Sequence, residues 1–529
     1  MSTSIPAPGY HKHEEFQNRL KLLNEIKALG IEPYPHKYEP TAKASVLQKE
    51  NVEKEVGHSE DAANGNTEKV CISGRIVLFR AMGKNAFGHI QDDTGRIQIM
   101  FNRDITTLKG YEKKNESNPQ PIKIIEKKFS LGDIIGVEGY LFKTQKGELT
   151  IFAKEVTLLC KTLLPLPDKH NGLADKGVRY RKRWLDLITS EESKKTFIVR
   201  SKIVQQIREF FYNKGFLEVE TPVLQNSYGG AQAKPFETHL NSLNQDMFLR
   251  ISLEIPLKKL IVGGMDKIFE IGKVFRNEGI DKTHNPEFTL LEAYASYWDY
   301  NDLMKLTEDL FSSIAKAIFN DTKIPMKKED GSKFVLDLTS PWKRMTMKES
   351  VKIYADIDID KHTDEELHNI IIEKTRLDQT HIKGKTRGFY IAHLFEELVE
   401  HHLIQPHHII DHPIETTPLC KLHRNEEEKK QNLVERFESF ILAHEFTNAY
   451  SELNDPILQR ELLETQALRK EEGDEEANPL DEEFIESICQ GLPPTGGIGM
   501  GIDRLVMLFT KAVSIKDVLF FPLARPEDS

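Results

Sequence analysis

Apolar residues alternate with polar ones in two neighbouring stretches near the middle of the chain, IFEIGKVF (268–275) and FTLLEAYASY (288–297). Alternation of this kind predicts two half-buried strands. Between them Arg276-Asn277-Glu278-Gly279 breaks the run with a glycine that permits a tight turn, and a polar loop carries His284, Asn285, Pro286 and Phe288. Along the second run Thr289, Leu291, Ala293 and Ala295 alternate with Glu292 and Tyr294. This strand–loop–strand unit sets Arg276, Glu278, Glu292 and Tyr294 close together on one sheet. Charges buried in this way are costly unless they are paired or bind something.

The rest of the chain reads as an α+β protein organised around that unit. Residues 1–68 form an N-terminal extension. Its first nine residues read as a frayed end, 10–29 as an amphipathic helix stopped by Gly30, 33–40 as an extended connector and 51–68 as a polar, mobile surface segment. Five strand-like runs follow over 69–160, with turns at Asp93-Thr94-Gly95 and Lys146-Gly147. They predict a small closed barrel of the OB type, a scaffold that binds single strands by stacking bases on aromatic rings. Residues 161–183 form a hinge with seven Lys/Arg against two Asp, suited to phosphate contacts. The second domain, 184–529, opens with helical spacing over 197–212. A strand through GFLEVETPVL and a loop with Gly229-Gly230 come next. A charged segment at about 325–425 reads as an insertion. Beyond it lie a strand pair carrying Glu438 and Glu445, an acidic helical hairpin with a loose EEGDEEANP turn, and GLPPTGGIGMGIDR opening into a helix near Ile502.

Composition narrows the function classes. A net charge of −11 over 529 residues argues against a protein coated in positive charge for bulk nucleic-acid binding, while leaving room for a local basic groove. The four cysteines (Cys71, Cys160, Cys420, Cys489) include no CxxC pair, so neither a zinc ribbon nor a disulfide framework is indicated. No run reaches membrane-spanning length and no signal-peptide core is present, so a cytoplasmic setting is expected. His393, Glu397 and His401 have i, i+4 spacing that could set a metal site on one helix face, although solvated or core-edge histidines are the default.

The FRNEG loop, the HNPEFT segment and the Glu292-x-Tyr294 ending together resemble motif 2 of the class II aminoacyl-tRNA synthetases, closest to the lysyl branch. Pro222 stands where the motif 1 proline would, and GxGxDR with Arg504 resembles motif 3. The resemblance covers nearly the whole chain. It implies an OB-fold anticodon-binding domain, with Arg75, Phe87 and Gln98 at the base-reading positions. A catalytic domain built on an antiparallel sheet flanked by helices would follow. It further implies a homodimer, and ATP, L-lysine and a lysine tRNA as substrates.

The resemblance also assigns individual roles. Arg276 would hold the amino-acid carboxylate and the α-phosphate. Glu278, His284, Asn285, Phe288, Gly501 and Arg504 would seat ATP, and Glu438 and Glu445 would hold Mg²⁺ on it. Gly230, Glu254, Glu292, Tyr294, Asn448, Tyr450 and Glu452 would receive lysine. Three glutamates suit an amino acid with two ammonium groups, whereas an aspartate-selective pocket would need Lys or Arg there. The chain departs from the lysyl pattern at Glu254-Ile255-Pro256, at Tyr450 where many relatives carry Phe, and at PPTGG in place of PPTAG. Aspartyl- and asparaginyl-type enzymes, a truncated relative that modifies a protein, and a catalytically silent binding protein on the same scaffold are the rival readings.

Overall fold

The computed structural model describes residues 8–167, 173, 175–328, 330–375, 386–471 and 478–524. The chain divides into two compact units, Met1–Gly172 and Leu173–Ser529, and the division falls within the basic stretch 161–183. The expected frayed residues 1–7, residues 168–172 of the hinge and most of the EEGDEEANP turn lie outside the described residues.

In the first unit, helix α1 (Glu14–Ala28) follows a single 3₁₀ turn. The segment 51–68, expected to be mobile, instead contains helix α2 (Ser59–Asn64). Asp61 accepts the His58 amide at 2.9 Å, which caps the helix, and Ala62 is buried. The five expected strands are present: β1 (Lys69–Met82), β2 (Asn85–Gln91), β3 (Arg96–Asn102), β4 (Ile134–Lys143) and β5 (Leu149–Cys160). They pair antiparallel in the order β3-β2-β1-β4-β5, and a parallel contact of β3 with β5 closes the barrel. Alternate residues fill the interior, among them Ile72, Ile90, Ile97, Ile99, Val137 and Ile151.

The second unit is built on one eight-stranded sheet. In chain order its strands are β6 (Leu217–Glu218), β7 (Lys267–Phe275), β8 (Glu287–Ser296), β9 (Lys343–Thr346), β10 (His407–Pro413), β11 (Leu433–Ile441), β12 (His444–Ser451) and β13 (Thr495–Gly501). Across the sheet they run β9-β10-β11-β12-β13-β8-β7-β6. The six central strands are antiparallel, as expected, but both edge pairs, β9–β10 and β7–β6, are parallel, so the sheet is mixed. Helices α3 (Glu191–Asn213), α5 (Tyr300–Phe319) and α7 (Ile502–Thr510) bury one face. Phe269, Leu291, Ala293, Phe437, Ala449, Ile498 and Met500 meet them there. Helix α4 (Glu254–Val262) lies towards the other face, packed on β8. No described helix is long and apolar enough to cross a membrane.

The segment at about 325–425, expected as an insertion, supplies β9 and β10 to the main sheet. Two sequence expectations are corrected. GFLEVETPVL is not one strand. Leu217–Glu218 joins the main sheet and Leu224–Gln225 joins a separate three-stranded sheet, because Pro222 between them has no amide to donate to a ladder. His401 does not extend the helix face of His393 and Glu397. Helix α6 (Arg387–Leu398) ends first, and His401 sits in a following 3₁₀ turn. His393 is buried with its ring stacked on Phe389.

Candidate active site

Strand periodicity builds the site. Residues on the sheet face opposite the helical core form two rows across four adjacent strands. One row is Glu292 (β8), Gly499 (β13), Asn448 (β12) and Glu438 (β11). The other is Tyr294, Gly497, Tyr450 and Arg436 on the same strands. The glycines at the centre of both rows leave a hollow where side chains would stand. A Cβ on Gly497 would lie 1.9 Å from Glu452 Oε1 and 2.5 Å from Tyr294 Cε1. Gly230 closes the hollow from a loop with φ +84°, and a Cβ there would lie 2.7 Å from Ser252 Oγ. The result is a cleft of about 510 Å³.

Of the residues assigned from the sequence to ATP, lysine and metal, all but one line this cleft. They are Gly230, Glu254, Arg276, Glu278, His284, Asn285, Phe288, Glu292, Tyr294, Glu438, Glu445, Asn448, Tyr450, Gly501 and Arg504. Glu452 is the exception. It lies beneath the cleft, 1% exposed, in an ion pair with the equally buried Lys258 of helix α4. Pro256 occupies the first turn of that helix, where its missing amide costs nothing, so the Glu-Ile-Pro departure leaves the helix intact.

One end of the cleft is acidic. Glu292 accepts three hydrogen bonds, from Ser252 Oγ (2.8 Å), the Leu253 amide (3.0 Å) and Tyr294 Oη (2.9 Å). Burial nevertheless pushes its carboxyl up to about 7, with the Glu254 charge adding to the effect. Tyr450 Oη donates to Glu254 Oε1 at 2.6 Å. Burial, then Glu254 and Glu292, raise Glu452 well above the carboxylate range against the opposing pull of Lys258.

The other end is basic. Arg276 leaves β7 just past its end, donates from Nε to the Ile251 carbonyl (3.3 Å) and stacks its guanidinium 5.1 Å from the Phe288 ring. Its Nη atoms make no hydrogen bond to a described residue, so they remain available to an anion. Arg504, on α7, donates to the Glu445 carbonyl (3.1 Å) and to His284 Nε2 (2.9 Å). Because Nε2 accepts, the His284 proton sits on Nδ1, which donates to Asp281 Oδ2 at 2.8 Å. Asn285 is held by Nδ2 on the Glu287 carbonyl, while its buried Oδ1 has no donor.

Glu438 and Glu445 lie near each other at the cleft floor. Partial desolvation in the cleft, then the Glu438 charge, push Glu445 up to about 7, although its side chain keeps 41% exposure. No group of three or more His, Cys, Asp or Glu among the described residues is placed to hold a metal ion alone. Arg436 pairs with Glu438 and Arg504 lies 3.7 Å from Glu445, so the two carboxylates fit a cation that brings further oxygen ligands with it, as Mg²⁺ does on a polyphosphate.

Several residues of the site had no role in the sequence reading. Arg436 bridges Asn448 Oδ1 (2.9 Å), Thr416 Oγ1 (2.9 Å) and Glu438 Oε1 (2.6 Å). Its spacing of two from Glu438 on a strand was the available signal. Lys258 lies four residues after Glu254, the helical spacing that signals a pair. Asp281 carries no comparable signal, since loop geometry decides its contact.

On the barrel, Phe87, His89 and Gln98 share the outer face, and Arg75 pairs in register with Gln91 further along it. Phe87 packs half-buried beside Met100 and Phe152. Gln98 uses both ends of its amide, accepting from Thr150 Oγ1 (2.8 Å) and donating to Glu148 Oε2 (2.8 Å). Arg75 is set back from that group: its Nη1 donates to the Gly132 carbonyl at 2.7 Å.

A six-stranded antiparallel core with this cleft on its open face, and an OB barrel in the preceding unit, define a class II aminoacyl-tRNA synthetase. Residues 175–525 match the family model described as tRNA synthetases class II (D, K and N), and residues 70–159 match the OB-fold nucleic acid binding domain. Within that class, the chain belongs to the lysine–tRNA ligase family. It is 54% identical to the lysine–tRNA ligase of Chlamydia caviae over 98% of both chains. It is 45% identical to that of Thermoanaerobacter pseudethanolicus (98% of this chain, 97% of the relative) and 44% identical to that of Staphylococcus epidermidis (97% and 99%).

Proposed function

We propose that the chain attaches L-lysine to its tRNA in two steps, through a lysyl-adenylate. The observation that carries this reading is the polarity of one cleft. Glu254 and Glu292 line one end, with Glu452 beneath, and Arg276 and Arg504 line the other. An amino acid with two ammonium groups and a carboxylate fits along it in one direction only.

In the first step a lysine carboxylate oxygen attacks the α-phosphorus of ATP, and the bond to pyrophosphate breaks. Arg276 holds the attacking carboxylate and the α-phosphate together, which supplies orientation and offsets charge. Phe288 and Arg504 enclose the base, with Arg504 kept in place by the Asp281–His284 pair. Glu438 and Glu445 would hold Mg²⁺ with the nucleotide, adding neutralisation of phosphate charge. In the second step the terminal ribose hydroxyl of the tRNA attacks the acyl carbon, the bond from that carbon to the phosphate oxygen breaks, and AMP leaves with the hydroxyl's proton passing to its phosphate. No side chain here is required as general base. Glu254, Glu292 and the Gly230 carbonyl receive the α-ammonium, Glu452 and Tyr294 the ε-ammonium, while Asn448 and Tyr450 flank the chain between.

Phe87, Gln98 and Arg75 serve the anticodon. A cytoplasmic homodimer completes the reading. Its support is the apolar surface left on the elements around Pro222, where Tyr212, Leu217 and Leu224 are 52%, 53% and 44% exposed. The deciding experiment is ATP–pyrophosphate exchange without tRNA, using lysine, aspartate and asparagine in turn. Exchange with lysine alone is expected. Exchange with aspartate or asparagine would overturn the assignment of the glutamates.

A further inference from the structure

Lys258 is a buried charge for which the reaction described above has no use. It projects from helix α4 with its side chain 1% exposed, and its ammonium forms ion pairs with Glu254 Oε1 and Glu452 Oε2. Two rings enclose the same nitrogen, Tyr450 at 5.5 Å and Phe484 at 5.8 Å. Burial works against its charge, but the two carboxylates outweigh burial and hold the ammonium above its ordinary range. The side chain is withdrawn from solvent, and its partners are two carboxylates assigned to the substrate.

The oxygens divide in a specific way. Both protein hydrogen bonds to Glu254 fall on Oε1. On Glu452, Lys258 contacts Oε2, while Oε1 points to the place where a Gly497 side chain would stand. Gly497 lines the cleft. Lys258 is the donor at Oε2, and Oε1 accepts no hydrogen bond from a described residue, so this buried carboxylate is left short of a donor on one side. Glu292 is the third carboxylate and, among the described residues, forms no ion pair; its partners are Ser252, the Leu253 amide and Tyr294.

We propose that Lys258 is a specificity-determining, positioning residue. Its fixed ammonium takes one oxygen each of Glu254 and Glu452 and leaves the other to the incoming amino acid, so that the three carboxylates, once ionised by the substrate's arrival, and this ammonium together carry a net charge of −2 towards a substrate with two ammonium groups. The inference rests on reading the cleft as a lysine pocket. Without Lys258, three like charges would crowd one buried site, and their carboxyls would hold protons to higher pH in place of binding substrate. The charged and titratable groups around it are Glu254 on its own helix, Tyr450 on β12, Glu452 just past that strand, and Cys420; Glu292 and Tyr294 on β8 act on the two carboxylates, and Arg436, near Tyr450, is already engaged by Glu438.

The test is calorimetric titration of the full chain with L-lysine across pH, together with the KM for ATP in pyrophosphate exchange. In Lys258→Met, which keeps the length and removes the charge, lysine affinity should fall roughly 10²-fold. The pH at which binding reaches half its plateau should rise by about one unit or more, and the KM for ATP should stay within about twofold. Unchanged affinity and midpoint would overturn the inference. So would weaker binding with an unmoved midpoint, which marks a merely structural role. A wild-type chain that binds no lysine would remove the lysine reading of the pocket itself, a result distinct from either. Should Lys258→Met fail to fold, a crystal structure of the wild-type chain with lysine decides. The substrate ε-ammonium is expected on Glu452 with Lys258 still bridging both carboxylates, and displacement of Lys258 from either one would overturn the proposal.

Discussion

The barrel face that carries Phe87 and Gln98 and the cleft that carries Glu292 and Arg276 use the same device in opposite surroundings. Each places polar side chains at alternate positions of antiparallel strands. On the barrel those side chains satisfy one another at the surface: Gln98 bonds to Glu148 and Thr150, and His89 reaches the same Glu148. In the cleft, Glu254, Glu292 and Glu452 are each under 5% exposed, and Glu254 and Glu452 share one internal cation, Lys258. An exposed network can exchange a partner for water or a base at little cost, whereas a buried one cannot. Substitutions should therefore act in large, pH-dependent steps in the cleft and in small, pH-indifferent ones on the barrel.

The largest expected effect is at the cleft's basic end. Arg276→Ala should reduce lysine-dependent pyrophosphate exchange by about 10³-fold or more, with the fold intact by circular dichroism. Near-normal exchange in a folded variant would mean that chemistry happens elsewhere, and the contrast between the regions would collapse. Gly497→Ala comes next. Its Cβ would have to enter space held by Glu452 Oε1 and Tyr294, so lysine KM should rise about 10- to 100-fold with ATP KM little changed. An equal rise in both would show that the cleft is one undivided site.

The pH dependence sharpens the comparison further. The Glu292 carboxyl, pushed up to about 7, is largely protonated in the substrate-free protein below that pH. An ammonium beside it favours the ionised form, so binding should release a proton. Lysine affinity should then climb by about tenfold per pH unit towards pH 7 and flatten above it. The sign for stability is the reverse. A folded-state value above the ordinary 4.5 means that the substrate-free fold loses stability as pH rises from about 4.5 through 7. Saturating lysine should recover it. Thermal shifts measured with and without lysine between pH 5.5 and 8 would check both signs, and a pH-independent lysine shift would refute them.

How far the sequence could be read follows the same division. Alternation in FTLLEAYASY correctly put Leu291 and Ala293 on the core face and Glu292 and Tyr294 on the other, because a strand's period of two leaves no choice. The barrel was legible for the same reason. What escaped depends on contacts between distant segments. That β9 and β10 complete the sheet cannot be seen in a charged stretch whose strands are four and seven residues long. The Glu452–Lys258 pair joins positions 194 apart in sequence, and burial of both partners is a tertiary fact. Asp281 owes its role to a loop conformation that sets its carboxylate against His284. Helix α2 was missed because its sequence is polar, and its stability comes from the cap at His58 and from packing against β4 rather than from an apolar stripe.

The smallest expected effect is on the barrel. Gln98 already spends both ends of its amide on Thr150 and Glu148, so reading a base means trading one hydrogen bond for another. The net gain from such a trade is about 1 kcal/mol, roughly a fivefold change in binding. Gln98→Ala should therefore raise the KM for tRNA in aminoacylation by about that factor and leave tRNA-free pyrophosphate exchange untouched at every pH. Phe87→Ala should cost somewhat more, because stacking on a base contributes about 1–3 kcal/mol, although part of that ring is already buried against Met100 and Phe152. Either substitution altering tRNA-free exchange would show that the barrel face and the cleft are energetically linked.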